Sequence, residues 1–172
     1  MIIIALSGKK KSGKNTVAKL IAAATNLSCK EYAFADALKS EVARACGVST
    51  AYIEQNKDSF RLILQGWGTD FKRNLVDKDY WVKELNKQLL QCTADIAIIT
   101  DVRFMNEFKY LNSAGAVLVR ISRPNIPLDE HPSESDLDKI KQWHEIILNS
   151  TTVDDLVPQV KELLTKINIQ IK

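Results

Sequence analysis

Short apolar runs alternating with amphipathic helical stripes predict a three-layer α/β fold with a parallel sheet of about five strands. Three observations carry that reading. Met1–Ser7 and Asp95–Thr100 are apolar almost throughout, as strands buried on both faces are. The stretches between such runs repeat apolar residues at helical spacing. The 172 residues also fit one domain of ordinary size. With 45% hydrophobic and 26% charged residues, the chain can build a core and is not a disordered polyelectrolyte.

Taken in order, the first strand, Met1–Ser7, ends at Gly8. Lys14 to Ala24 carries Val17, Leu20, Ile21 and Ala24, one face of an amphipathic helix. Cys29–Phe34 reads as a short second strand, and Asp36 as the cap of a helix that ends before Gly47. From Val48 to about Gln91 the pattern is helical throughout, with one stripe at Phe60, Ile63, Leu64 and Trp67 and another at Trp81, Val82, Leu85 and Leu89. Residues 36–91 are therefore expected as a helical insert on a core of 1–35 and 92–172, the whole forming a single domain. Asp95–Thr100 is the next strand, and a helix from about Asn106 to Ser113 is stopped by Gly115. Ala116–Ile121 is another strand, followed by a loop with Pro124, Pro127 and Pro132. Glu145–Leu148 is a last short strand. Thr152 with Asp155 fits a capping box for a closing helix whose stripe is Val153, Leu156, Val157, Val160, Leu164 and Ile167.

Composition excludes several classes. A net charge of +3 is too small to imply a nucleic-acid polymer as partner. Cys29, Cys46 and Cys92 are an odd count with no CxxC pair, which argues against a disulfide scaffold or zinc cluster and for a reducing compartment, the cytoplasm. His131 and His144 lack metal-ligand spacing. No run approaches the roughly 20 apolar residues of a membrane span, and the basic residues follow the opening apolar run, unlike those of a signal peptide.

The strongest chemical signal is Gly8-Lys9-Lys10-Lys11-Ser12-Gly13-Lys14-Asn15-Thr16, between the first strand and the first helix. It follows the phosphate-loop pattern GxxxxGK[ST] with one departure. Glycines let the backbone wrap closely so that successive N–H groups face phosphate oxygens. The helix N-terminus adds free N–H groups and the positive end of its dipole. Lys14 is placed to reach the β- and γ-phosphates of a nucleotide, with Gly8, Lys11, Ser12, Gly13, Asn15 and Thr16 as further phosphate contacts. Asn15 stands where a magnesium-binding hydroxyl is usual. Thr16 resembles the GKGT arrangement of nucleoside monophosphate kinases, leaving the metal held mainly by nucleotide and water. The alternative for the triple lysine is a solvated surface turn, and the pattern does not say which of Lys9, Lys10 and Lys11 faces the phosphates.

With that loop in place, the chain resembles the phage-type deoxynucleoside monophosphate kinases, a branch of the P-loop kinases that is also similar to phosphomevalonate kinase. The matching pieces are SGKNT at Ser12–Thr16, FADALK at Phe34–Lys39, LQGWGTDFKR at Leu64–Arg73, DVRFMNE at Asp101–Glu107, RISRP at Arg120–Pro124 and HPSE at His131–Glu134. Departures are Asn15, where Asp is common, and Met105, where Pro is common. The resemblance implies a three-layer P-loop kinase fold whose helical insert binds the acceptor and whose Pro-rich segment forms a lid loop. It further implies transfer of the γ-phosphoryl of ATP, with magnesium, to a (deoxy)nucleoside 5′-monophosphate, in the host cytoplasm if the chain is phage-encoded. A homodimer is an open alternative to a monomer.

Individual residues carry competing readings. Asp101, at the carboxyl end of a strand, holds water on magnesium, orients the acceptor, or caps the following helix. Arg103 clamps the acceptor phosphate or pairs with Glu107 at i, i+4 spacing. Arg61 and Arg73 are acceptor ligands or solvated helix charge. Asp36 and Lys39 lie in the FADALK match; Asp36 contacts the acceptor or caps a helix. Trp67 and Trp81 stack on a base or belong to the core. Arg123, better placed than Arg120, is the candidate lid arginine over the transferring phosphate. His131, Ser133 and Glu134 match a family segment of underived role, with Glu134 a substrate-binding candidate.

Two other functions compete. A kinase for another small phosphorylated acceptor, such as phosphomevalonate, would share the donor loop and differ in the insert. A nucleotide-gated switch would carry DxxG after the third strand and NKxD after a later one. Asp101-Val102-Arg103-Phe104 lacks the glycine, and Asn56-Lys57-Asp58 follows no strand.

Overall fold

A computed structural model of the chain describes residues 1–124, 126 and 135–172. It divides into two compact units, Met1–Tyr32 with Cys92–Lys172, and Ala33–Gln91.

The first unit is built on five parallel strands: β1 (Ile2–Ser7), β2 (Cys29–Tyr32), β3 (Ile96–Val102), β4 (Val117–Ser122) and β5 (Glu145–Leu148), in the order β2-β3-β1-β4-β5. The central strands are apolar over most of their length because both faces are covered, with Thr100, Asp101 and Arg120 near their carboxyl ends. Ile4, Leu6, Ile96, Ile98, Val119, Ile121 and Ile147 form one buried cluster with helices α1 (Lys14–Ala24) and α7 (Leu156–Lys166). Helix α6 (Met105–Ser113) packs on β4 and buries Leu111 and Phe108. Each crossover returns the chain to the same end of the sheet, so every strand delivers its carboxyl end to one edge.

Strand bounds move by a residue or two, and at two places the difference is larger. The second strand ends at Tyr32, and Phe34 already belongs to a helix. The Thr152–Asp155 bonds form, from Thr152 N at 3.1 Å and Thr152 Oγ1 at 2.8 Å, but they close a turn that precedes α7. The buried face of α7 is therefore Leu156, Val160, Leu163 and Leu164, while Val153 is exposed. Capping chemistry marks where a helix can start without stating that the turn itself is helical.

The second unit contains α2 (Phe34–Cys46), α3 (Thr50–Gln55), α4 (Lys57–Gln65), a π-helix (Gly66–Val76) and α5 (Tyr80–Leu90). Helix α2 ends on Gly47 in the left-handed conformation. Asp36 is not the N-cap; it lies at the third position, and its carboxylate accepts from the Ala33 amide at 3.2 Å. Val42, Ala43 and Ile53 form a small core on which Leu38, Phe60, Leu64 and Trp67 pack. Ile63 is exposed, contrary to its expected place in the stripe, because it falls on the outward side of α4. Trp81, Val82, Leu85 and Leu89 are buried as expected.

The π-helix is the unforeseen element. Its wider turn is closed by Asp77 N donating to Lys72 O, 2.9 Å. Side chains hold it from two sides. Trp81 Nε1 donates to the Gly68 carbonyl at 2.9 Å. Glu41 of α2 accepts from Trp67 Nε1 at 2.9 Å, pairs with Lys72 Nζ at 3.0 Å and accepts from the Tyr80 hydroxyl. Burial raises the Glu41 pKa, but the bonds from Tyr80, Trp67 and Lys72 outweigh it and hold the carboxyl below its ordinary value. A depressed carboxyl pKa adds stability above the unfolded value, roughly 4.3, that is lost as pH falls through the folded value. Glu41→Gln is therefore expected to cost about 2 kcal/mol at neutral pH, with the deficit shrinking in acid. Urea melts followed by tryptophan fluorescence at pH 7 and 3.5 check this; a deficit independent of pH would refute it.

Candidate active site

The chain leaves β1 at Ser7, in the middle of the sheet, and turns at once. Gly8 has φ 152°, and a Cβ there would lie 2.5 Å from Ser12 Oγ and 2.6 Å from the Ile121 carbonyl oxygen. Gly13 has φ 103°, and its Cβ would meet Asn149 Nδ2 at 2.4 Å. Only glycine fits either position. Between them Ser12 N donates to Lys9 O at 3.1 Å, and Lys11 takes a left-handed φ of 64°. Lys14 opens α1 with its ammonium folded over the loop, donating to Gly8 O at 2.7 Å and Lys9 O at 2.9 Å. Ser12 Oγ is buried with no hydrogen-bond partner among the described residues. Among the described residues no side-chain bond caps α1, and no acidic residue stands in its first turn. A wrapped loop, an ammonium, a buried hydroxyl and a helix N-terminus together form a cradle for a polyanion. Asn15 is exposed and Thr16 half-buried at its rim.

Neighbouring strand ends supply charge. Ser7 pairs with Val102, so Asp101 and Arg103 flank the residue of β3 that faces the start of the loop. At the start of α6, Glu107 accepts from the amides of Arg103 at 2.9 Å and Phe104 at 3.0 Å, and Asp136 accepts from Met105 N at 2.7 Å. Arg123, just beyond β4, donates to the Lys11 carbonyl at 3.2 Å, so it touches the loop directly. Arg120 lies within β4 and is tied down, to Ser7 Oγ at 3.1 Å and Asp138 at 2.6 Å. Asp138 also pairs with Lys9 at 3.3 Å.

Asp36, Lys39, Arg61, Trp67 and Arg73 belong to the second unit. Lys39 pairs with Asp36 at 3.5 Å and Glu54 at 2.9 Å. Arg61 is half-buried and Arg73 is buried in the π-helix, which is not the setting of solvated surface charge. Trp67 is engaged with Glu41 and packs on the unit's core, and Trp81 is buried outright. His131, Ser133 and Glu134, with Pro127 and Pro132 of the expected lid loop, lie outside the described residues.

Sequence reasoning missed two residues at the loop, Asp138 and Asn149. Asn149 follows β5, and its Nδ2 donates to Ser12 O at 2.8 Å. Its signal was available: a polar residue at the carboxyl end of a parallel strand, where open α/β sheets bind ligands.

Comparison with known proteins is decisive on family. A family model for deoxynucleotide monophosphate kinase matches residues 2–51 and 47–160. The chain belongs to that family. A putative deoxynucleotide monophosphate kinase of Acanthamoeba polyphaga mimivirus is 29% identical over 187 residues, covering 93% of this chain and 94% of the relative. The deoxynucleotide monophosphate kinase of Escherichia phage RB69 is 29% identical over 110 residues, 62% of this chain but only 45% of the phage protein. Among solved structures, a shikimate kinase from Acinetobacter baumannii superposes with a TM-score of 0.51 at 16% identity, over 98% of this chain and 93% of that one. At that identity the likeness is one of fold, an α/β P-loop kinase fold, and the kinase's own substrates are a matter for its site. No described helix of the kinase is long and apolar enough to cross a membrane.

Proposed function

We propose that this kinase transfers the γ-phosphoryl of ATP to a deoxynucleoside 5′-monophosphate, releasing ADP and the diphosphate. The observation that carries the reading is the cradle of residues 8–16, with Lys14 folded over it and Arg123 joined to it, in a member of this family.

Phosphoryl transfer asks little covalent chemistry of a protein; it asks for alignment and for positive charge around the moving group. Lys14 exchanges its bonds to the Gly8 and Lys9 carbonyls for the β- and γ-phosphates, while the amides of Gly8, Lys11, Ser12, Gly13, Asn15 and Thr16 and the Ser12 hydroxyl meet the remaining oxygens. Arg123 and Arg103 neutralise charge as the phosphoryl moves, and Asp101 orients the acceptor. Asp36, Lys39, Arg61, Trp67, Arg73, Arg103 and Glu134 form the acceptor side of the proposal. Magnesium fits as an ion carried on the triphosphate, with Asn15 and Asp101 as candidate contacts to its water shell.

A coupled assay of ADP release with every deoxynucleoside and ribonucleoside monophosphate, and phosphomevalonate alongside, tests the reading. Acceleration by at least one deoxynucleotide is expected. No acceleration by any nucleotide would reject it, and a response to phosphomevalonate alone would replace the acceptor.

A further inference from the structure

Two consecutive carbonyls of the phosphate loop are gripped from the carboxyl ends of adjacent strands. Arg123, after β4, donates to Lys11 O, and Asn149, after β5, donates to Ser12 O. The backbone of Asn149 is itself fixed, its amide donating to Ser122 O at 2.8 Å. The side chain therefore works from a rigid base, and it sits so close that Gly13 has no room for a Cβ, which would lie 2.4 Å from Nδ2.

The consequence follows from peptide geometry. In a trans peptide the C=O of one residue and the N–H of the next point in opposite directions. A bond that draws Ser12 O toward Asn149 turns the Gly13 N–H away from β5 and toward the interior of the loop. We propose that Asn149 is a positioning residue for the donor nucleotide: its side-chain amide sets the Ser12–Gly13 peptide so that the Gly13 N–H is aimed at a phosphate oxygen before ATP arrives. Without it that peptide is free to rotate and the amide must be reoriented on binding, a cost that falls on donor affinity. This rests on the reading of residues 8–16 as the ATP site.

Asn149→Ala and Asn149→Asp separate positioning from mere packing. Aspartate keeps the shape but sets an oxygen against Ser12 O and a negative charge beside the polyanion. Titration calorimetry with ATP, KM for ATP and for the acceptor, and thermal melts are measured on the full chain. The expectation is roughly tenfold weaker ATP binding in Asn149→Ala, weaker still in Asn149→Asp, an unchanged KM for the acceptor, and melting within a few degrees of wild type. Wild-type ATP affinity in both variants overturns the proposal. So does loss of the folded circular-dichroism spectrum in both, which would assign Asn149 to the fold alone, or an equal rise in both KM values. Failure of the wild type to bind ATP would instead reject the site reading beneath it.

Discussion

Lys14→Ala lowers turnover at saturating ATP by roughly a thousandfold, the scale on which fixed charges act in phosphoryl transfer. Its melting temperature stays within about 4 °C of wild type. The two effects separate because the ammonium's bonds to the loop carbonyls Gly8 O and Lys9 O can be replaced by water once it is gone. Lys14→Arg does not restore activity, since a planar fork cannot replace a compact ammonium folded into so close a turn. Steady-state kinetics and a thermal melt on the same samples measure both quantities. Undiminished turnover in Lys14→Ala would remove this residue from the triphosphate site.

The second large effect is structural as well as functional. Gly8→Ala places a methyl 2.5 Å from Ser12 Oγ and 2.6 Å from Ile121 O, at a φ of 152° that alanine rarely adopts. Ser12 can shift its hydroxyl, but Ile121 cannot yield its carbonyl: it lies in β4, paired with Ile147 of β5 and buried in the main cluster. Strain and clash together are expected to cost about 3 kcal/mol, a fall of roughly 6–12 °C in melting temperature for a chain of this size. The same methyl intrudes on the wrap of the cradle, so ATP affinity falls with stability. Calorimetric melting with and without ATP tests both; a stable variant with normal ATP-induced stabilisation would show that the loop does not need its first glycine.

The central strands were legible because burial on both faces leaves an apolar run such as Ile2–Leu6 or Ile96–Ile99, a signal that survives without any partner in view, whereas the edge strands β2 and β5 are short and partly exposed. The loop was legible for a related reason, since glycines at fixed spacing before a lysine, between strand and helix, have few other uses. Less was legible in residues 36–91. No residue pattern in Gly66–Val76 announces a π-turn, and the side chains that hold the segment, Glu41 and Trp81, come from outside it. Ile63 was read onto the stripe by its spacing from Phe60 and Trp67, but α4 packs Phe60 and Leu64 inward and leaves Ile63 exposed, which apolar spacing alone does not tell.

From the order of its residues alone, this chain had an α/β architecture, a glycine-rich loop of phosphate-binding pattern at the end of its first strand, and a likeness to deoxynucleoside monophosphate kinases. Those depend on contacts between near neighbours and on backbone freedom at single positions. Tertiary structure decided who holds that loop: Arg123 on Lys11 O, Asn149 on Ser12 O, and Asp138 between Lys9 and Arg120. Asn149 and Ser12 stand 137 residues apart, and they meet because parallel strands deliver every carboxyl end to one edge of the sheet.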